Sequence, residues 1–280
     1  MRGPGDLPGP TRQARLRTWR DRAQASLLGR TAARFVAVSG YDRSLALATQ
    51  SFVALVPAAL LAVAYLPESG RRAAGARLVD GLGLSGESAD AVLDLVARPP
   101  TTSTPSVVVG IVLVVMTGVG FTRTLQRVYV AAWVLPPLGA RGVVHGMVAV
   151  LVLVAAVVAA VGLHPGGVGG PLLSLAIQIG LAVSLWLPVQ RLLLGGRVSW
   201  RALLPGAAVA GAGQAVVMAA SGLYFRVALG SQAEVFGVIG AAFVMVSWLV
   251  VLAYLLVGAA VLSAELAGAP PVGAAATVPR

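Results

Sequence analysis

The sequence predicts an all-α, polytopic membrane protein of six transmembrane helices with both termini in the cytoplasm. Three observations predict it. Residues 45–66, 106–122, 142–190, 202–225 and 235–264 contain no Asp, Glu, Lys or Arg. A charge at the bilayer centre costs roughly 2.5–3.5 kcal/mol on insertion scales, so long uncharged runs of this kind suit lipid. Apolar residues make up 58% of the 280 and charged residues 11%, against about 25% charged in a soluble domain. Finally, all 21 basic residues are arginine, and they gather at alternate connections between the apolar runs.

A spanning helix needs about 20 apolar residues to cross ~30 Å of hydrocarbon. Six segments supply them, at about 45–66, 106–130, 142–163, 172–190, 203–225 and 237–262. The second ends in a basic stub carrying Arg123 and Arg127, which Pro136-Pro137 stops. The N-terminus, 123–141, 191–202 and the C-terminal tail hold 9, 3, 3 and 1 arginines. The opposite connections, 67–105, 164–171 and 226–236, hold 4, none and 1. The positive-inside rule then puts both ends in the cytoplasm. Residues 1–44 form a cytoplasmic Arg-rich segment, 45–262 the membrane domain and 263–280 a cytoplasmic tail. With nine arginines and no apolar h-region in the first 44 residues, no cleavable signal is expected, and the first span serves as an anchor.

Two further helices are expected outside the spans. In 12–36, Leu16, Trp19, Ala23 and Leu27 recur at helical spacing, interleaved with Arg12, Arg15, Arg20, Arg22, Arg30 and Arg34, as in an amphipathic helix lying on the inner leaflet. The external loop 67–105 carries Ala89, Val92, Leu93 and Val96 on one face of a helix that Pro99-Pro100 ends, a cap for the bundle or a lid.

Polar residues at membrane depth are the candidates for function. Gln50 lies between Thr49 and Ser51 in the first span, one to two turns before Pro57. Pro57 lacks the amide that would satisfy the Val53 carbonyl, which predicts a kink. Ser174 and Gln178 share a face of the fourth span, and Gln214 occupies the middle of the fifth. Together these form a candidate polar path; each also suits an interhelical hydrogen bond worth ~0.6–2 kcal/mol. Gly206-x₃-Ala210 and Gly237-x₃-Ala241, with Gly211, Gly213 and Gly258, suit close helix packing. Trp133, Trp186, Trp200 and Tyr224 fall near span ends, as an aromatic belt would, whereas Trp248 reads as packing.

Arg123, Arg127, Arg191, Arg197 and Arg201 form an inner basic rim, each adding ~1 kcal/mol of attraction to anionic lipid. Arg127 with Arg197 is a candidate headgroup site. The net charge of +11 is thereby explained by the anionic inner leaflet, without nucleic acid. No enzymatic role is expected. There is no cysteine, and His145 and His164 stand about 28 Å apart at the ends of one span, too far to share a metal. Neither a metal nor a cofactor is expected.

Four stretches together resemble the YihY/BrkB family of bacterial inner-membrane proteins, some once labelled ribonuclease BN. They are ALATQSFVALVP (46–57), FTRTLQRVYVAAWVLPP (121–137), RVSWRALLPGA (197–207) and VFGVIGAAFVMVSW (235–248). The resemblance spans roughly residues 27–266 and implies a six-helix inner-membrane bundle. The chain departs from the family pattern at Thr49 and Gln50, where an aromatic pair is usual, at Ala54 for Ser and at Phe236 for Tyr. The acidic residue usual after Gly-Ala late in the last span is missing; Gly258-Ala259 runs into Ala260 and Val261, and the nearest carboxylate is Glu265.

The expected function is transport or export of a lipidic or amphiphilic substrate. Ion-coupled pumping needs an intramembrane ionisable relay and charge-selective channels need rings of charge; the spans offer Gln, Ser and Thr instead. The competing expectation is a non-transporting scaffold or envelope-integrity factor, working as a homo-oligomer or with an envelope protein through its Arg-rich N-terminus.

Overall fold

The computed structural model describes residues 26–65, 68–82, 86, 89–90, 93–94, 97, 104–162 and 170–272. In chain order the helices are α1 (Leu27–Ala37), α2 (Gly40–Tyr65), α3 (Glu68–Leu82), α4 (Thr104–Ala132), α5 (Gly139–Gly162), α6 (Gly170–Leu193) and α7 (Trp200–Leu266). No strand occurs among the described residues.

The last of these is not one rod. A straight helix of 67 residues would reach ~100 Å at 1.5 Å per residue. Yet Ser263 Oγ donates to the Ala202 carbonyl at 2.9 Å, and the Tyr224 and Trp248 rings stack with centroids 6.0 Å apart. A Cβ built on Gly206 would meet Ser263, and one on Gly213 would meet Leu255. The helix therefore doubles back as an antiparallel hairpin. Its arms, Trp200–Phe225 and Ala242–Leu266, and Leu175–Leu193 of α6 are each long and apolar enough to cross a membrane. The spans expected at 203–225 and 237–262 are thus arms of α7. The connection between them at 226–236 is itself helical. Helical bonding keeps amides and carbonyls paired where water is scarce.

The other long helices, α2, α4 and α5, have 26, 29 and 24 residues. Close approach fixes how they pair. A Cβ at Gly142 or Gly146 of α5 would press on Gln126 or Thr122 of α4, so two bare positions one turn apart let the helices touch. Gly120 of α4 likewise leaves room for the Gln50 side chain of α2. Gly211 brings α7 against the α6 backbone at Val183. Gly258, by contrast, faces open space, so its expected packing role does not hold. α2 runs on past Pro57, and α6 past Pro188.

The tightest packing lies toward one end of the bundle. Leu125, Val128 and Tyr129 of α4, Val189 and Leu193 of α6, and Leu203, Val257 and Val261 of α7 are fully buried there. A second cluster, Phe225, Val244 and Trp248, fills the far half of the α7 hairpin. Trp248 packs as expected. Trp133 and Trp186 do not form a belt, since both are buried.

Of the helix expected over 12–36, α1 supplies the second half, and residues 12–25 lie outside the described residues. Ser26 caps α1 by accepting from the Gly29 amide at 3.0 Å. Leu28, Ala32 and Val36, four residues apart, form an exposed apolar face, as an interfacial helix requires. The external helix around 87–98 lies largely outside the described residues; Ala89 is buried and Leu93 exposed. α3, which the sequence pattern did not lead us to expect, fills 68–82 of that connection.

Candidate functional site

Several element ends meet at the arginine-rich end of the bundle. These are α1, the start of α2, the end of α4, the start of α5, the end of α6 and both ends of α7. Together they build a clamp and, beside it, a groove.

The clamp is centred on Arg34, whose side chain is 6% exposed. Its Nε donates to Glu265 Oε2 at 3.0 Å and Nη1 to the Ala132 carbonyl at 2.8 Å. Nη2 donates to the Ala269 and Pro270 carbonyls at 2.6 and 3.0 Å. Four of the five guanidinium N–H groups are thus matched, as a buried cation demands. Arg30 Nε reaches the other Glu265 oxygen at 2.9 Å. The carbonyls come into range because α7 ends in a left-handed turn at Gly268, φ +68°, with Ala269 N bonded to Ala264 O. Where the family pattern carries its late carboxylate, Ala260 and Val261 are buried among apolar side chains. The acid of this arm is Glu265, and it closes the clamp.

The groove, about 530 Å³ in volume, opens between α2, α4 and the connection from α4 to α5. Arg43, Arg123 and Arg127 line it together with Gln126, and Val130, Leu135, Leu138 and Val143 supply apolar wall. Arg43 is held by two carbonyls: its Nε donates to Val38 O and its Nη1 to Arg127 O at 2.8 Å. Partial burial and the neighbouring Arg127 charge both lower its pKa. Gln126 donates to the Gly142 carbonyl at 3.1 Å, which fixes α5 to α4 at the groove floor. Among the described residues no carboxylate lines the groove. Among the described residues Arg123 and Arg127 have no hydrogen-bond or ion-pair partner for their side chains.

The connection from α4 to α5 shapes the groove's outer lip. Val134 sits at φ +52°, a conformation costly for a β-branched residue, and it allows Leu135 N to bond Val130 O at 2.9 Å. This connection rests on the one from α6 to α7, where Gly195 (φ +64°) meets Leu138.

The expected basic rim therefore divides. Arg123 and Arg127 face the groove. Arg197 braces the two connections, donating to Leu194 O at 2.9 Å and Pro136 O at 2.7 Å. Arg191 donates to Val198 O at 2.8 Å, with its guanidinium 4.7 Å from the Trp200 ring centre. Arg201 is exposed. Of the pair that the sequence suggested as a headgroup site, Arg127 lines the groove and Arg197 is not among its lining residues. Arg43, which sequence reasoning counted only as a topological charge, joins instead.

The expected polar path is likewise redistributed. Gln214 Oε1 accepts from Trp186 Nε1 at 2.8 Å, a bond between α7 and α6. Gln50 packs over Gly120 between α2 and α4. Gln178 is exposed, and the Ser174 side chain lies outside the described residues. Sequence reasoning missed the most buried glutamine, Gln190. Its amide oxygen lies 3.2 Å from Ala207 N and 3.3 Å from the Tyr129 hydroxyl, and its nitrogen 3.2 Å from Leu203 O. Gln190 is the last residue of the expected fourth span, beside Arg191, and Gln126 lies in the basic stub beside Arg127, so neither stood out as a polar residue at mid-membrane depth. Among the described residues, no group of three or more His, Asp or Glu is placed to hold a metal ion.

The model of the virulence factor BrkB family matches residues 31–276, a span that takes in the groove and all of the clamp but Arg30. Comparison with curated proteins and with solved structures returns no match. With most of its length matched and its apolar helices packed as a bundle, the chain belongs to the virulence factor BrkB family, an integral membrane protein.

Proposed function

We propose that the protein is a six-span transporter or export-type protein of the bacterial plasma membrane, acting on a lipidic or amphiphilic substrate. In this reading the arginine-rich end and both termini face the cytoplasm, and α2, α4, α5, α6 and the two arms of α7 are the spans. No chemical step is part of it.

One observation carries the reading: the groove combines charge with an apolar exit. Val143 lines it, and Met147 and Leu151, one and two turns further along α5, are exposed. Along α4, Met116 and Val112 lie two and three turns from Arg123 and are exposed too. A molecule with an anionic head and aliphatic chains matches that sequence of surfaces. The deep amide Gln214 is engaged by Trp186 rather than left to a relay, and ion-coupled pumps need an ionisable relay.

Reconstitution in liposomes tests this, by following translocation of a fluorescent lipid alongside ion flux. Lipid movement without ion flux is expected; ion flux without lipid movement rejects the substrate class. The second reading, a membrane scaffold, draws on α1, which the clamp pins so that the Arg-rich residues before Ser26 have a fixed base. Removing residues 1–25 while keeping the Ser26 cap separates the two. A scaffold loses function while still inserting, whereas a transporter retains it.

A further inference from the structure

We infer that the groove is a binding site for a phosphate group, held by Arg43, Arg123 and Arg127. It rests on the transport reading only for the phosphate's source. A lipid headgroup and free inorganic phosphate share this chemistry, and the transport reading favours the headgroup.

Three guanidinium groups from two helices line one concavity, and no carboxylate among the described residues lines it. The positive-inside rule asks only that arginines lie on one side of a membrane, not that they converge. The neighbouring arginines show the ordinary alternative, since Arg191 and Arg197 occupy their donors with backbone carbonyls and Arg191 also covers an indole. Arg123 and Arg127 have no such partner among the described residues. Like charges brought together in a partly desolvated cleft repel, and an anion between them relieves that repulsion.

Geometry then narrows the anion. Arg43 is fixed by two carbonyl bonds, one of them to Arg127 itself, so three of its five N–H groups are left for a ligand and its position is set beforehand. A phosphate monoester carries about −1.5 to −2 charge near neutral pH and offers three terminal oxygens. It can accept from several guanidinium forks at once, whereas a carboxylate offers one negative charge and two oxygens. The groove, at about 530 Å³, is within the ~300–1,000 Å³ of small-molecule sites. Val130, Leu135 and Val143 give its wall an apolar side where the first carbons beyond the phosphate would rest.

The test uses the full chain purified in an uncharged detergent. The probes are dioctanoyl phosphatidic acid, dioctanoyl phosphatidylcholine and inorganic phosphate, with Kd read by thermophoresis. Wild-type protein binds phosphatidic acid well ahead of phosphatidylcholine. R123Q/R127Q weakens phosphatidic acid binding ~100-fold, roughly tenfold for each charge-assisted hydrogen bond removed. R123K/R127K restores part of that affinity, and R201Q stays within about twofold of wild type. Since Arg123 and Arg127 touch no described side chain in a hydrogen bond or ion pair, the thermal midpoint of R123Q/R127Q stays at the wild-type value and shows that the variant is folded.

Inorganic phosphate that competes at concentrations equal to the lipid keeps the site and assigns it to free phosphate. Equal affinity for the two lipids, or unchanged binding by R123Q/R127Q, overturns the inference. Translocation assays separate the two claims. Lipid movement by a wild-type protein that ignores phosphate sinks the site and leaves the transport reading standing. Phosphatidic acid binding without any lipid movement does the reverse.

Discussion

Arg34 and Glu265 illustrate how a single pair organises an end of the bundle. A guanidinium 6% exposed beside a carboxylate 15% exposed is unfavourable to bury unless nearly every donor finds an acceptor. Here the acceptors come from α4, α7 and the segment after it, so the charge pair dictates where those backbones stop. Glu265→Ala removes the anion and leaves the Arg34 cation buried against carbonyls alone. A loss of about 3–5 kcal/mol is expected, read as a lower midpoint in thermal or denaturant unfolding of the purified protein. Arg30→Ala, at the half-exposed partner, should cost under ~1 kcal/mol. Equal losses from both would show that the clamp does not work through burial. This pair was only half legible in the sequence. Glu265 stood out as the acid nearest the vacant family position, but nothing in the linear pattern says that Arg34 turns inward while its neighbours at 28, 32 and 36 face out.

Helices in this molecule meet where side chains are absent. The α7 hairpin closes on Gly206 and Gly213, α5 meets α4 at Gly142 and Gly146, and α6 meets α7 at Gly211. Gly206→Val places a branched side chain against Ser263 and the Ala259 carbonyl and should destabilise the hairpin by about 1–3 kcal/mol. Gly258→Ala, with nothing near its Cβ, should be silent or slightly stabilising through helix propensity. Unfolding midpoints of the two variants check the pair, and matching losses would contradict the assigned neighbours. The spans expected at 172–190, 203–225 and 237–262 were legible, and helices there are long and apolar enough to cross a membrane, because lipid imposes length and apolarity on each helix separately. Small residues in the expected fifth span also pointed correctly to packing, at Gly206, Gly211 and Gly213. Which glycine faces which helix was not legible, since Gly142-x₃-Gly146 and Gly258 read alike until partners are known. The helical reversal between the α7 arms was missed for a related reason: charged residues such as Arg226 and Glu234 signal an exit from lipid without deciding between loop and helix.

On the scale of the whole molecule, the arginine asymmetry and the packing point the same way. The residues that sequence counting puts on one face, the N-terminal segment, 123–141, 191–202 and the tail, are those joined by the clamp, by the Arg197 bond to Pro136 and by the Arg43 bond to Arg127. The six-span bundle proposed above, with both termini inside, would account for that coincidence, and in that proposal the groove faces the cytoplasmic leaflet, rich in anionic lipid. The chain contains no cysteine, so single cysteines can be introduced without background. S26C, G196C and L266C, labelled in intact cells with a membrane-impermeant maleimide, should react only after permeabilisation, while S69C reacts before it. Labelling of S26C and G196C from opposite faces would contradict the account.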